Sequence, residues 1–138
     1  MVQNAGSATE AARAGYGEFN RREHEALLAR MTPDFEWHEA AEIPGRKSCV
    51  NRDEFARYLR GFDRLWEEFA FDPRELIESG DTVYARVGLR GRGKASAHDM
   101  ELEIHHVWVL RDGYFASMNA YLDEGEARAA AGLDSPTA

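Results

Sequence analysis

Cysteine, basic charge and long apolar runs are all scarce in this sequence, and each shortage excludes a class of protein. Cys49 is the only cysteine among 138 residues, so the chain can form neither an internal disulfide nor a cysteine-based zinc cluster. No apolar run approaches the length that a transmembrane helix needs. Residues 1–7 are polar and lack both the basic and the apolar region of a signal peptide. We therefore expect a cytoplasmic protein with no membrane partner.

Acidic residues outnumber basic ones, 25 to 17, which gives a formal net charge of −8. A surface of this sign repels the phosphate backbone, so we predict no nucleic-acid partner. The length suits a single domain. We place this domain at residues 8–133, between a disordered N-terminal lead-in at residues 1–7 and a C-terminal tail at residues 134–138.

Two stretches carry strong helical signals. Strong helix formers dominate residues 9–31, and a weak point at residues 20–23 predicts two helices or one kinked helix. Asn51 is followed three residues later by Glu54, which predicts an N-cap with its capping-box partner. Apolar residues, most of them aromatic, then recur at helical spacing. We interpret them as one helix over residues 51–69 that packs on a sheet.

The strongest strand signal lies in residues 100–123, where two β-rich runs flank residues 111–113 (RDG). A short Asp-Gly connection between such runs predicts a β-hairpin. The two-residue period of a strand gives the first run one apolar face, and a single polar residue, His106, lies on that face. Such a face is either a core with a hydrogen-bonded histidine or the wall of a pocket.

Shorter alternating patterns at residues 35–39, 75–79 and 82–90 predict three more strands, the second of them separated from the aromatic helix by Pro73. Helices followed by a long antiparallel meander predict an α+β domain in which a curved sheet wraps helices on one face. This arrangement leaves a cone-shaped hollow between sheet and helices, where we expect the functional site.

Several stretches together resemble one known family: residues 16–22 (YGEFNRR), residues 31–39 (MTPDFEWHE), residues 106–113 (HVWVLRDG) and the chain ending at residues 120–133. They are similar to the SnoaL-like branch of the nuclear transport factor 2-like superfamily, over about residues 8–133. The resemblance implies a cone-shaped, mostly antiparallel sheet of the nuclear transport factor 2-like or cystatin-like type. Members include polyketide cyclases, ketosteroid isomerases, dehydratases and proteins with no chemistry, so the fold alone does not choose an activity.

The resemblance also implies roles for particular residues. In ketosteroid isomerases the general base is an aspartate at the end of the first strand, where this chain has Glu39. An oxyanion-binding aspartate precedes the last hairpin turn, where this chain has His106. The isomerase tyrosine falls nearest Tyr16, one residue out of register. These departures argue against steroid isomerase activity itself, but they leave a base and a donor for proton transfer beside a carbonyl group.

Two hypotheses of different classes follow. In the first, the protein is a small enzyme of the isomerase, cyclase or lyase (dehydratase) type that acts without a cofactor on a hydrophobic carbonyl compound. Glu39 and His106 would be catalytic. The expected pocket-lining residues are Tyr16, Trp37, Tyr58, Phe62, Trp108 and Met118.

In the second hypothesis the protein is a non-catalytic ligand-binding or dimerisation module. Glu39 would then lie in solvent at a strand end, and His106 would be a core residue. No set of His, Asp and Glu has metal-ligand spacing, so under either hypothesis we predict no metal.

The outer face of the sheet suggests a partner. We expect this face to carry His105, Val107, Val109, Phe115 and Tyr121. An antiparallel sheet with one solvated face should show polar residues there, and several of these are apolar. Because members of the family commonly dimerise through this surface, we predict a homodimer.

Overall fold

A computed structural model describes residues 7–43, 46–95 and 99–133 of the chain. The helices are α1 (Ser7–Asn20), α2 (His24–Leu28), α3 (Arg52–Leu65) and α4 (Glu124–Ala130). The strands are β1 (Met31–His38), β2 (Ser48–Cys49), β3 (Trp66–Ser79), β4 (Thr82–Gly93), β5 (Asp99–Arg111) and β6 (Tyr114–Tyr121). They form one curved, unclosed sheet in the order β2-β1-β6-β5-β4-β3, in which only the β1–β6 pair is parallel. The predicted α+β class is confirmed.

The N-terminal helical segment divides where the sequence predicted a break. Helix α1 ends at Asn20, and Arg22 adopts a left-handed backbone conformation with a φ of 61°. This conformation is unfavourable inside a right-handed helix, so the chain turns before α2 begins. Asn20 then binds the backbone of Phe71 through both atoms of its amide, at 2.8 and 2.9 Å. These two bonds hold the end of α1 against the edge strand β3.

Helix α3 begins as predicted and ends earlier. The side chain of Asn51 accepts a hydrogen bond from the Glu54 N–H at 2.9 Å, and the Glu54 carboxylate accepts one from the Val50 N–H. The predicted continuation to residue 69 was wrong, because the chain is extended from Trp66 onward. Phe69 fits helical spacing from Trp66 and also strand alternation with residue 71, and pairing with β4 decides between the two.

Strand β3 has two features that the sequence did not predict. Gly91 on β4 lies under the rings of Trp66 and Phe69, and a Cβ there would stand 3.0–3.1 Å from their carbons. Because glycine has no Cβ, the two aromatic rings can pack directly against the β4 backbone at this position. Pro73, predicted to separate two elements, lies inside β3 instead. The sheet tolerates it because β3 is an edge strand, where a missing N–H need not cost a ladder hydrogen bond.

The hairpin β5–β6 forms at the predicted turn, but its register shifts by a bulge between Val109 and Leu110. Ala116 is the extra residue on β6, so the bulge reverses the face of Phe115 relative to the rest of that strand. Phe115 was predicted on the outer face, and this was wrong. It is 2% exposed and packs in the main core, with its ring centroid 4.8 Å from that of Trp108.

Part of the outer sheet face is covered by the chain itself. Tyr84 and Val107 are buried under Ala127 and Ala131 of the α4 region, and Tyr121 packs against the same cluster. The apolar outer residues thus have an internal partner in α4. Farther along β5, Val109 remains 37% exposed. Within the described ranges, no helix is both long and apolar enough to cross a membrane.

Candidate active site

The inner face of the sheet and helix α3 enclose a cavity of about 490 Å³. This volume lies within the range of about 300–1,000 Å³ that is typical of small-molecule sites. Most of the wall is aromatic or aliphatic. Its polar side chains include Glu39, Lys47, Tyr58 and His106. The carboxylate and the imidazole singled out in the sequence therefore face one common cavity.

Glu39 follows directly after the end of β1, and its side chain is held on the cavity wall. One carboxylate oxygen accepts a hydrogen bond from the backbone N–H of Lys47 at 2.9 Å. The other accepts a short hydrogen bond from the Tyr58 hydroxyl and lies 3.5 Å from the indole nitrogen of Trp37. These contacts come from the β1–β2 hairpin and from α3, so two elements fix the direction of the carboxylate.

Tyr58 is the donor that faces Glu39 from helix α3. Burial raises the pKa of Tyr58 well above its usual range, and the negative charge of Glu39 raises it further. The hydroxyl is therefore protonated at all ordinary pH values. It supplies a permanent hydrogen-bond donor beside the carboxylate.

His106 lies on β5 and is 1% exposed. Its Nδ1 lies 2.7 Å from the hydroxyl oxygen of Tyr16, and the same oxygen accepts the indole N–H of Trp108 at 2.8 Å. Burial lowers the pKa of His106 from 6.5 to about 3, and the charge of His105 contributes a smaller part of this decrease. The imidazole is therefore neutral near pH 7.

Aromatic rings pack closely around this imidazole. Phe71 meets it edge-on with ring centroids 5.1 Å apart, and Trp37 lies at 6.1 Å. The Tyr16 ring lies nearly parallel to the imidazole, with ring centroids 5.8 Å apart, and meets it at the Nδ1 edge. A ring packed in this way has little freedom to turn, so His106 presents a fixed edge to the cavity.

The structure divides the predicted lining residues into two groups. Trp37, Tyr58 and Phe62 line the large cavity together with Glu39 and His106. Three others lie in the packed layer behind its wall: Tyr16, Trp108 and Met118. The wall also contains residues that the sequence did not single out, among them Lys47 and Phe71. The alternation of Phe69 and Phe71 was a usable signal for the latter, whereas the unpatterned loop around Lys47 offered none.

Other chemistries have less support in this structure. Cys49 is buried, and burial raises the pKa of its thiol to about 11, so it is not a thiolate at neutral pH. In the part of the chain that the structure describes, no group of three His, Cys, Asp or Glu residues is arranged to hold a metal ion.

Comparison with known proteins agrees with this architecture. The family model of the SnoaL-like domain matches residues 12–118. A search of curated proteins finds no match. Among solved structures, a nuclear transport factor 2-like protein of unknown function from Burkholderia pseudomallei is 22% identical. The alignment covers 89% of this chain and 95% of that chain, with a TM-score of 0.76.

Two further solved structures have a similar fold. TerC, co-crystallised with polyporic acid, is 25% identical over 85% of this chain and 92% of that chain, with a TM-score of 0.74. SalBIII, an epoxide hydrolase/cyclase-like enzyme with a role in pyran ring formation in the polyether salinomycin, is 14% identical. That alignment covers 89% of this chain and 95% of that chain, with a TM-score of 0.73. The chain belongs to the SnoaL-like domain family and has the nuclear transport factor 2-like fold.

Proposed function

We propose that this protein binds a hydrophobic carbonyl compound and catalyses proton transfer at the carbon next to the carbonyl group. The observation that supports the proposal is a carboxylate and a neutral imidazole on the wall of one mainly apolar cavity. Proton abstraction beside a carbonyl needs both a base near the α-proton and a donor at the carbonyl oxygen.

In this proposal Glu39 is the base and His106 is the donor. Glu39 takes the α-proton, the C–H electron pair moves towards the carbonyl oxygen, and an imidazole N–H of His106 binds the enolate that forms. The proton on Glu39 then returns to another carbon of the substrate. In the dehydratase variant the enolate expels its β-hydroxyl as water, with the proton that Glu39 took up; in the cyclase variant the enolate carbon attacks a second carbonyl carbon of the same substrate, and that proton goes to the resulting alkoxide.

Tyr58 and Lys47 would support the base through their existing contacts. A carboxylate has about four lone-pair directions, so the hydrogen bonds from the Lys47 N–H, Tyr58 and Trp37 still leave one for the substrate proton. Holding the carboxylate in place matters because a displacement of roughly 1 Å can cost about 10²-fold in rate.

The direct test uses β-tetralone, a bicyclic ketone with exchangeable α-protons. The ketone is incubated with the protein in D₂O, and the loss of α-proton signal is followed by NMR. The proposal expects exchange that accelerates in proportion to protein concentration. Exchange no faster than in buffer alone, over a wide range of protein concentrations, would overturn the catalytic proposal for this class of compound.

A cavity-blocking variant checks where the ketone binds. Gly61 on α3 lines the cavity, and a Cβ built on it meets no atom within 4 Å. Gly61→Leu should therefore lower affinity for β-tetralone at least tenfold by filling the binding space. Replacing glycine inside a helix should also leave stability equal or raise it by up to about 1 kcal/mol. Calorimetric titration and thermal unfolding measure the two effects; unchanged affinity would argue against this cavity.

A second candidate is a ligand-binding protein without catalysis. It is favoured by the fact that both carboxylate oxygens of Glu39 already accept hydrogen bonds within the protein. TerC, co-crystallised with polyporic acid, makes that compound a reasonable probe. Tight calorimetric binding of polyporic acid or β-tetralone, with no acceleration of exchange, would support this candidate over the enzyme.

We also propose that two copies associate through the outer face of β5 and β6. Val109 is 37% exposed and Tyr114 is 52% exposed, which leaves apolar surface beyond the area that α4 covers. Sedimentation at micromolar protein concentration should then give the mass of a dimer, and Val109→Lys should shift it towards the monomer. A monomer alone in the unmodified protein would contradict this expectation.

A further inference from the structure

We propose that Tyr16 is a positioning residue that fixes neutral His106 with its ring proton on Nε2, so that this N–H faces the cavity. Tyr16 itself lies behind the cavity wall and does not contact a ligand bound there. The choice of tautomer is a property of the buried side chains alone. Its use as a donor to a carbonyl oxygen rests on the proposed function.

The direction of the hydrogen bonds follows from Trp108. An indole N–H can only donate, so the Tyr16 oxygen is the acceptor of the 2.8 Å bond between them. The Tyr16 hydroxyl keeps its own proton, because burial raises the pKa of Tyr16 far above its usual range. That proton needs an acceptor within the packed layer.

His106 Nδ1, at 2.7 Å from the Tyr16 oxygen, is the acceptor in reach. If Nδ1 carried a proton instead, two N–H groups would point at the Tyr16 oxygen, and its own proton would have no partner in the described part of the chain. A buried donor without an acceptor is unfavourable, so the arrangement selects an unprotonated Nδ1. The hydrogen bonds thus run in one direction, from Trp108 to Tyr16 to His106.

A neutral imidazole has one ring proton, so an unprotonated Nδ1 puts that proton on Nε2. Among the residues that the structure describes, none makes a hydrogen bond to Nε2, whereas His106 lines the cavity. The depressed pKa of His106 agrees with this, because a doubly protonated ring could not accept from Tyr16. The apolar wall therefore presents a fixed N–H donor to the cavity.

The outer face of the sheet supplies a matched control. Tyr84 lies 2.9 Å from Nδ1 of His105, which repeats the tyrosine–histidine contact on the side of the sheet away from the cavity. Tyr84→Phe removes the same kind of hydroxyl from the neighbouring histidine. It should leave both the His106 tautomer and the exchange rate of β-tetralone unchanged.

The test is long-range nitrogen NMR of protein labelled with nitrogen-15 in the histidine rings, at pH 7. His106→Gln identifies the signals of His106 by their loss. In the unmodified protein, His106 should show a protonated Nε2 and a bare Nδ1. Tyr16→Phe should replace that pattern with a mixture of tautomers and slow β-tetralone exchange, whereas Tyr84→Phe should alter only the signals of His105.

A protonated Nδ1 in the unmodified protein would overturn the inference, as would a His106 pattern that Tyr16→Phe leaves unchanged. If Tyr16→Phe does not fold, the spectrum of the unmodified protein still decides the tautomer. Trp108→Phe then tests whether the chain of bonds maintains it. The predicted tautomer without any β-tetralone exchange would remove the proposed catalysis and leave this assignment intact.

Discussion

Glu39→Gln is expected to slow the exchange of β-tetralone α-protons by about 10²–10⁴-fold, the usual contribution of a positioned base. The amide has the shape of the carboxylate and can still accept from the Lys47 N–H, but it cannot take up a proton. Affinity for the ketone should stay nearly the same. Exchange measured by NMR and binding measured by calorimetry separate the two effects.

Glu36→Gln is the matched control for this substitution. Glu36 lies on the same strand β1, but its side chain is exposed and contacts His38 at 2.8 Å. Its replacement should leave exchange unchanged, because it does not line the cavity. If Glu39→Gln exchanged the ketone as fast as the unmodified protein, Glu39 would not be the base.

His106 should make the folded protein sensitive to acid. Burial lowers the pKa of His106 to about 3, whereas in the unfolded chain it is about 6.5. Between these values the unfolded chain binds a proton that the folded protein does not. The free energy of unfolding should therefore fall as pH is lowered from about 6.5 towards 3, by up to about 1.4 kcal/mol for each pH unit.

Urea unfolding at pH 7 and pH 5 measures this contribution. At pH 7 His106 is neutral in the folded protein and mostly neutral in the unfolded chain, so it adds little pH dependence there. Going to pH 5, the unmodified protein should lose more stability than His106→Gln, because the variant lacks the group that titrates on unfolding. His24→Gln, on helix α2, controls for the loss of any histidine. Equal losses in the unmodified protein and His106→Gln would show that burial does not depress this pKa.

Local patterns predicted several features of the site correctly. The two-residue period put His106 and His105 on opposite faces of β5, and the structure pairs them with Tyr16 and Tyr84 on those faces. The N-cap at Asn51 and the turn after Arg111 also follow from short-range chemistry. Such features depend on neighbours within a few residues, so they can be predicted from the sequence alone.

Features that depend on distant contacts were missed. Residues 66–71 suit a helix or a strand, and pairing with residues 89–93 decides between them. The bulge on β6 opposite Val109 turned Phe115 inward, and no residue type there predicts a bulge. The contact of Tyr16 with His106 joins residues 90 positions apart. A one-residue offset in a family comparison gave no guide to which way that side chain points.

The outer face illustrates the same limit. Apolar residues on β5 predicted a covering partner, and the structure supplies part of it from α4 of the same chain. The alternating pattern indicates that a surface is covered, but it does not indicate whether the same chain or a partner covers it. For this reason the proposed dimer depends on the exposed remainder near Val109, and sedimentation tests it separately from the chemistry.

The most direct test of a shared role for Glu39 and His106 is a crystal structure with β-naphthol, a stable planar analogue of the enolate of β-tetralone. The naphthol oxygen should lie within hydrogen-bond distance of His106 Nε2, with the adjacent ring carbon against the Glu39 carboxylate. A naphthol bound outside the cavity, or one whose oxygen faces Lys47 while His106 binds nothing, would contradict this shared role.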